Sequence, residues 1–85
     1  MDKLEELIDY LVSRFSFLYA ERLYKILSKK EIRQKLGYKR LTRKRFYSAL
    51  LSYHKGRING KGDKYPFDNE VEREVLAFLG LQKSK

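Results

Sequence analysis

The sequence predicts a small all-α domain. Apolar residues recur at helical spacing over 3–15 and again over 71–79. Residues that start and stop helices punctuate the chain between them: Ser28, Gly37, Thr42, Asn69 and Gly80. The one strong turn signal, Asn59-Gly60, is flanked by runs too short and too poor in β-formers to build a sheet of any size. Eighty-five residues suit a single domain over 1–85, with 80–85 expected to fray. There is no cysteine, so neither a disulfide nor a Cys-based zinc site can staple so small a core. Stability must come from the 42% hydrophobic residues or from a second subunit.

Leu4, Leu7, Ile8, Leu11, Val12 and Phe15 share one side of a helix expected at 3–15, and Asp2, Glu5 and Glu6 favour its positive end. This stripe either closes the core or pairs two subunits. Continuing it beyond Tyr19 would put Arg22 in its middle, whereas Ala20, Leu23, Tyr24 and Leu27 lie on a different face. The change of phase near Ser16 implies a break or a sharp bend, with a second helix over 17–27. Ser28 and Glu31 have capping-box spacing and open a helix over 29–36, with Ile32 and Leu36 inward and Gly37 as its left-handed stop. Leu41 tucks under the connection that follows. Thr42 caps a helix over 43–55, with Phe46, Ala49, Leu50 and Tyr53 on its core face. Lys44, Ser48, Ser52 and Lys55 share the opposite face, flanked by Arg45, Tyr47 and Leu51. Residues 56–66 form a short β-hairpin turning at Asn59-Gly60, or an irregular loop. Asn69 and Glu72 cap a last helix whose apolar face is Val71, Val75, Phe78 and Leu79, ended by Gly80 in a Schellman turn.

Charge is segregated along the chain. The net charge is +9, yet 1–28 and 65–85 are each slightly acidic; 29–64 carries 13 Lys or Arg against only Glu31 and Asp63. A solubilising surface would spread its charge, whereas a surface for a polyanion concentrates it. Arg43, Lys44 and Arg45 crowd a helix's first turn, where each cation opposes the macrodipole by about 0.3–1 kcal/mol. That placement favours an approaching anion, since N-terminal amides attract phosphate.

The run Leu27-Ser28-Lys29-Lys30-Glu31-Ile32, followed by Lys35-Leu36-Gly37-Tyr38, resembles the first half of helix-turn-helix and winged-helix DNA-binding domains. RLYKIL before it is similar to the end of the first helix of their trihelical core. The resemblance covers about 17–55, and extends to 67 if 56–66 is a wing. Two features depart from it: the connection between Gly37 and Phe46 exceeds the usual three- to four-residue turn, and Arg33 stands where a small residue usually packs. The resemblance implies an all-α fold with a helix-turn-helix core, the 3–15 helix as an N-terminal addition, a hairpin wing and a C-terminal helix. It implies double-stranded DNA binding, with 43–55 as recognition helix in the major groove. Arg43, Lys44, Arg45, Tyr47 and Ser48 then face base edges or phosphates, while Lys29, Lys30, Lys39, Arg40 and Lys55 hold the backbone. Arg57 and Lys61, with Lys64, are the wing contacts. Transcription regulation is the commonest use of such a unit. If the 3–15 helix or the C-terminal helix pairs two subunits, half-sites should lie about 10 base pairs apart.

Two alternatives stand beside duplex DNA. Tyr38 and Tyr47, amid basic residues, suit stacking on unpaired bases of RNA or single-stranded DNA. A basic adaptor docking an acidic protein in a replication or transcription assembly fits the same charge. Enzyme activity is not expected: one histidine and no cysteine support neither a zinc centre nor Cys-His or Ser-His nucleophilic chemistry, and carboxylates are scarce beside the basic segment. Residues 56–62 lack the ending of a phosphate-binding loop, so no cofactor or small-molecule ligand is expected. No window approaches the roughly 18 apolar residues of a membrane span, and the acidic start is unlike a secretory leader. The expected compartment is therefore cytoplasmic, on the nucleoid if the ligand is DNA.

Overall fold

Asp2 and Glu5 close a capping box at the start of helix α1 (Lys3–Arg14): the Glu5 amide donates to the Asp2 carboxylate at 2.9 Å and the Asp2 amide to Glu5 at 3.4 Å. The computed structural model describes residues 2–50 and 56–81. After α1 come strand β1 (Phe17–Tyr19), helices α2 (Ala20–Leu27), α3 (Lys30–Lys35) and α4 (Arg43–Ser48), strand β2 (Arg57–Asn59) and helix α5 (Asp68–Leu79). The chain is mostly helical, with one small antiparallel sheet of β1 and β2. No helix among the described residues is long and apolar enough to cross a membrane.

α1 closes the core. Leu4, Leu7, Leu11 and Phe15 are wholly buried, with Ile8 and Val12 beside them. Their partners are Leu23 and Leu27 of α2, Ile32 of α3, Phe46 of α4, and Val71, Val75 and Leu79 of α5. Each such side chain contributes about 1.5–3 kcal/mol on burial. The stripe that the sequence left open to a second subunit is thus spent within the single chain. Phe78 of α5, half-buried, sets its ring 5.0 Å from that of Tyr10.

The helix expected over 17–27 begins only at Ala20. Phe15 is extended (φ −106°, ψ 150°) and ends α1, and beyond the bend at Ser16 the residues Phe17–Tyr19 become β1. β1 pairs with β2 in the register Phe17–Asn59, Leu18–Ile58 and Tyr19–Arg57, which turns Leu18 and Ile58 into the core. A three-residue strand is too short to show alternation, and its partner is some forty residues away, so tertiary pairing overrides the local helical reading.

The same pairing replaces the hairpin expected within 56–66. β2 reaches back to β1, and the chain beyond it runs along the end of α1. Gly60, Lys61, Gly62 and Lys64 amides donate to the carbonyls of Ser16, Val12, Phe15 and Arg14 at 2.8–3.2 Å. A Cβ on Gly60 would lie 1.9 Å from the Phe15 carbonyl oxygen, and one on Gly62 2.1 Å from the Arg14 carbonyl. The glycines serve close approach between backbones, not a free wing.

Two expected caps are also corrected. Ser28 is in the right-handed helical region, so it closes α2 by donating to the Tyr24 carbonyl at 2.8 Å; Lys29 precedes α3 with no side-chain cap. α5 starts at Asp68 behind Phe67, so Asn69 lies inside the first turn and accepts from the Glu70 amide instead of forming a box with Glu72. Other local signals are realised. Gly37 (φ 93°) ends α3, with the Tyr38 amide donating to Arg33 at 3.1 Å. Thr42 accepts the Arg45 amide at 3.1 Å. Gly80 (φ 72°) closes α5, with the Leu81 amide on Leu76 at 2.8 Å. The helix expected over 43–55 ends at Ser48, followed by Ala49 and Leu50 in a turn. Leu51, Tyr53, His54 and Lys55, like the tail at 82–85, lie outside the described residues.

Candidate nucleic-acid interface

α3, the connection 36–42 and α4 carry the basic segment, and the core fixes both ends of the connection. Leu36 and Leu41 are buried, and the Tyr24 hydroxyl donates to the Leu41 carbonyl at 2.8 Å. Between them the Arg33 guanidinium donates to the carbonyls of Tyr38 (3.4 Å) and Lys39. Arg33 therefore replaces the small residue of a tight turn by satisfying carbonyls that a longer turn leaves without partners. The consequence is that Lys39 and Arg40 stand out in solvent. Two shallow grooves flank the turn. One, of about 310 Å³, lies between Arg33, Gln34, Gly37, Tyr38 and Lys39. The other, of about 290 Å³, is lined by Tyr24, Ser28, Arg33, Lys39, Arg40 and Leu41. Arg33 and Lys39 border both.

The acidic flanks fold back onto part of the basic segment. Lys29 pairs with Glu72 at 2.7 Å, Arg43 with Glu21 at 3.0 Å, Arg45 with Asp2, and Lys64 with Glu74 at 2.7 Å. Arg43 also lies 4.8 Å over the Tyr24 ring and Arg45 5.7 Å over that of Tyr38. Within 29–64, among the described residues, Lys30, Lys35, Lys39, Arg40, Lys44, Arg57 and Lys61 are exposed and have no carboxylate partner; Lys3 and Lys25 are the exposed cations in the same state outside it.

The structure therefore divides the residues that the sequence singled out. Lys30, Lys39, Arg40 and Lys44 are open to a ligand. Lys29, Arg43 and Arg45 are exposed or partly so, but already paired. Ser48 is exposed, one turn from Lys44, and its hydroxyl donates to the Arg45 carbonyl at 2.8 Å. Tyr47 does not lie on an exposed flank: its ring is buried edge-on against Phe46 at 5.2 Å, and its hydroxyl donates to Glu21 at 2.6 Å. That bond, then Arg43, holds the Glu21 carboxyl below the usual range. Tyr38 is half-buried, its hydroxyl 3.5 Å from Asp2. Arg57 sits 3.9 Å over the Phe17 ring, and Lys61 follows the end of α1, both away from any wing. Lys55 lies outside the described residues.

Glu74 anchors the segment after β2. It accepts from the Lys64 ammonium at 2.7 Å and the Tyr10 hydroxyl at 2.9 Å, with Arg14 at 3.5 Å. The Lys64 bond chiefly holds its carboxyl below the ordinary 4.5, against the opposing effect of burial. A carboxyl with a depressed folded pKa stabilises fully above its unfolded value and loses that contribution as pH falls through the folded one. Glu74→Gln is accordingly expected to lower the urea midpoint at pH 7, and the gap to the parent should close as pH falls below 4.5. A gap that stays constant with pH would show that Glu74 contributes through packing alone.

Among the described residues no group of three or more His, Cys, Asp or Glu is placed to hold a metal ion. Comparison with protein-family models, curated proteins and solved structures finds no match to this chain.

Proposed function

We propose that this chain is a small DNA-binding regulator that grips the double helix with α3, the 36–42 connection and α4. The observation that carries the reading is the pattern of pairing. Acids from the flanks neutralise Lys29, Arg43, Arg45 and Lys64, while Lys30, Lys35, Lys39, Arg40 and Lys44 remain exposed without a carboxylate among the described residues. Unpaired like charges on adjacent elements repel one another, and a phosphate backbone relieves that cost while releasing its counterions. In this reading Lys30, Lys35, Lys39 and Arg40 hold phosphates, and Lys44 with Ser48, on the outer face of α4, lies nearest the groove. Arg43 and Arg45 join by exchanging a carboxylate for a phosphate. Exposed ion pairs are worth only about 0–1 kcal/mol, so the exchange is cheap.

Competition among duplex DNA, single-stranded DNA and duplex RNA across a salt series tests the reading. The expected result is strongest binding to duplex DNA, with log affinity falling linearly against log salt by about 0.9 per phosphate contact. Binding that is weak to all three, or independent of salt, would overturn it.

A further inference from the structure

Tyr65 and Phe67 are the large apolar side chains left more than half exposed among the described residues, at 52% and 59%. Burying such a ring is worth about 1.5–3 kcal/mol, so two of them side by side in solvent call for a reason. Their backbone is well anchored. Pro66 between them is fully buried, the Lys64 carbonyl accepts the Ser16 amide at 2.9 Å, and the Phe67 carbonyl accepts the Val71 amide of α5 at 2.9 Å. The rings are thus presented outward, centroids 4.7 Å apart and tilted by 54°. Phe17 meets Tyr65 edge-on at 5.6 Å, and Tyr19 meets Phe17 at 5.1 Å, extending the aromatic cluster onto β1. The neighbouring Tyr19 raises the Tyr65 pKa above its usual 10.0.

Two guanidiniums border this cluster. Arg57 lies 3.9 Å from the Phe17 ring centre, and Arg22 lies 4.7 Å from that of Tyr19. Arg57 has no carboxylate partner among the described residues, and Arg22 has only a loose one, Asp68 at 3.8 Å. Exposed ring faces with cations at the edge match a flat base attached to a phosphate chain. A second copy of the chain would bring up an identical cationic rim on a molecule of net charge +9, and repulsion would oppose it. An uncharged apolar partner would leave both guanidiniums unanswered.

We propose that Tyr65 and Phe67 form a stacking platform for unpaired bases of single-stranded nucleic acid, with Arg57 and Arg22 holding the adjacent phosphates. The platform shares its ligand class with the proposed function but rests on different residues, so either can fail alone.

The probe is a short fluorescein-labelled oligothymidylate, compared with a blunt hairpin duplex, both titrated with the full chain. Stacking is worth about 1–3 kcal/mol per base. Tyr65→Ala with Phe67→Ala is therefore expected to weaken oligothymidylate binding roughly tenfold or more, with duplex binding changed by less than about twofold. Tyr65→Phe with Phe67→Tyr keeps both ring faces and should retain the affinity, which separates stacking from damage to the fold. Photocrosslinking of a 5-iodouracil oligonucleotide should map to Tyr65 or Phe67. The platform is overturned if the parent chain does not bind oligothymidylate, if the double alanine variant binds it like the parent, or if crosslinks fall only on 30–44. Oligothymidylate binding lost in the alanine variant, with no duplex binding by the parent, would sustain the platform and sink the duplex reading.

Discussion

Changing Lys39, Arg40 and Lys44 together to alanine is expected to lower affinity for duplex DNA on the order of 10²-fold at about 0.1 M salt. The slope of log affinity against log salt should become shallower by about 2.7, or roughly 0.9 for each contact removed. The size of the effect follows from the state of these side chains in the free protein. All three are exposed, and among the described residues none has a carboxylate to leave before meeting a phosphate. Removing Arg43 or Arg45 should cost less, because binding there first breaks the pair with Glu21 or Asp2. The triple variant should keep its thermal stability, since no buried contact is lost. An unchanged salt slope would place the phosphate contacts elsewhere.

Gly62→Ala is expected to have a large effect on stability. The new Cβ would meet backbone, the Arg14 carbonyl at 2.1 Å, where no side chain can swing aside. Relief requires the 60–64 segment to lift from the end of α1. That movement loosens the Lys61–Val12, Gly62–Phe15, Lys64–Arg14 and Ser16–Lys64 backbone bonds, worth about 1 kcal/mol each. A loss of about 3–4 kcal/mol follows, and each kcal/mol lowers the melting temperature by roughly 4–8 °C in a domain of this size. Melting followed by far-UV circular dichroism checks it. A shift of only a few degrees would mean that the segment is not seated as described.

What could be read from the sequence was what short-range chemistry decides. The α1 stripe, the Thr42 cap and the left-handed glycines at 37 and 80 depend on residues within about one helical turn, and all four appear in place. Capping-box spacing at Ser28 and Asn69 was not sufficient. The cap residue must leave helical geometry, and the tertiary structure keeps Ser28 in the last turn of α2 and Asn69 in the first turn of α5. β1 was hidden because its partner follows three intervening helices, and Asn59-Gly60 pointed to a nearer pairing in place of the one with β1.

The candidate interface divides along the same line. Counting charge located the basic segment, because net charge needs no geometry. The pairing that ranks its members does need it: Asp2 and Arg45 are 43 residues apart, and Glu21 and Arg43 are 22. No local pattern could have shown that Arg43 and Arg45 are engaged while Lys39 and Arg40 are not. The burial of Tyr47 was concealed similarly, since its partner Glu21 lies on α2. Tyr65 and Phe67 do carry a local signal in the sequence, two aromatics around the chain's sole proline and just ahead of an acidic helix start.

The most direct test sets two variants of equal charge against each other on the same duplex at the same salt. One carries Lys39→Ala, Arg40→Ala and Lys44→Ala; the other carries Arg14→Ala, Lys25→Ala and Arg73→Ala, which removes three cations outside the basic segment. A placed interface predicts that the first loses on the order of 10²-fold while the second stays close to the parent. Equal losses in the two would show that duplex binding reflects net charge alone, and would contradict the account.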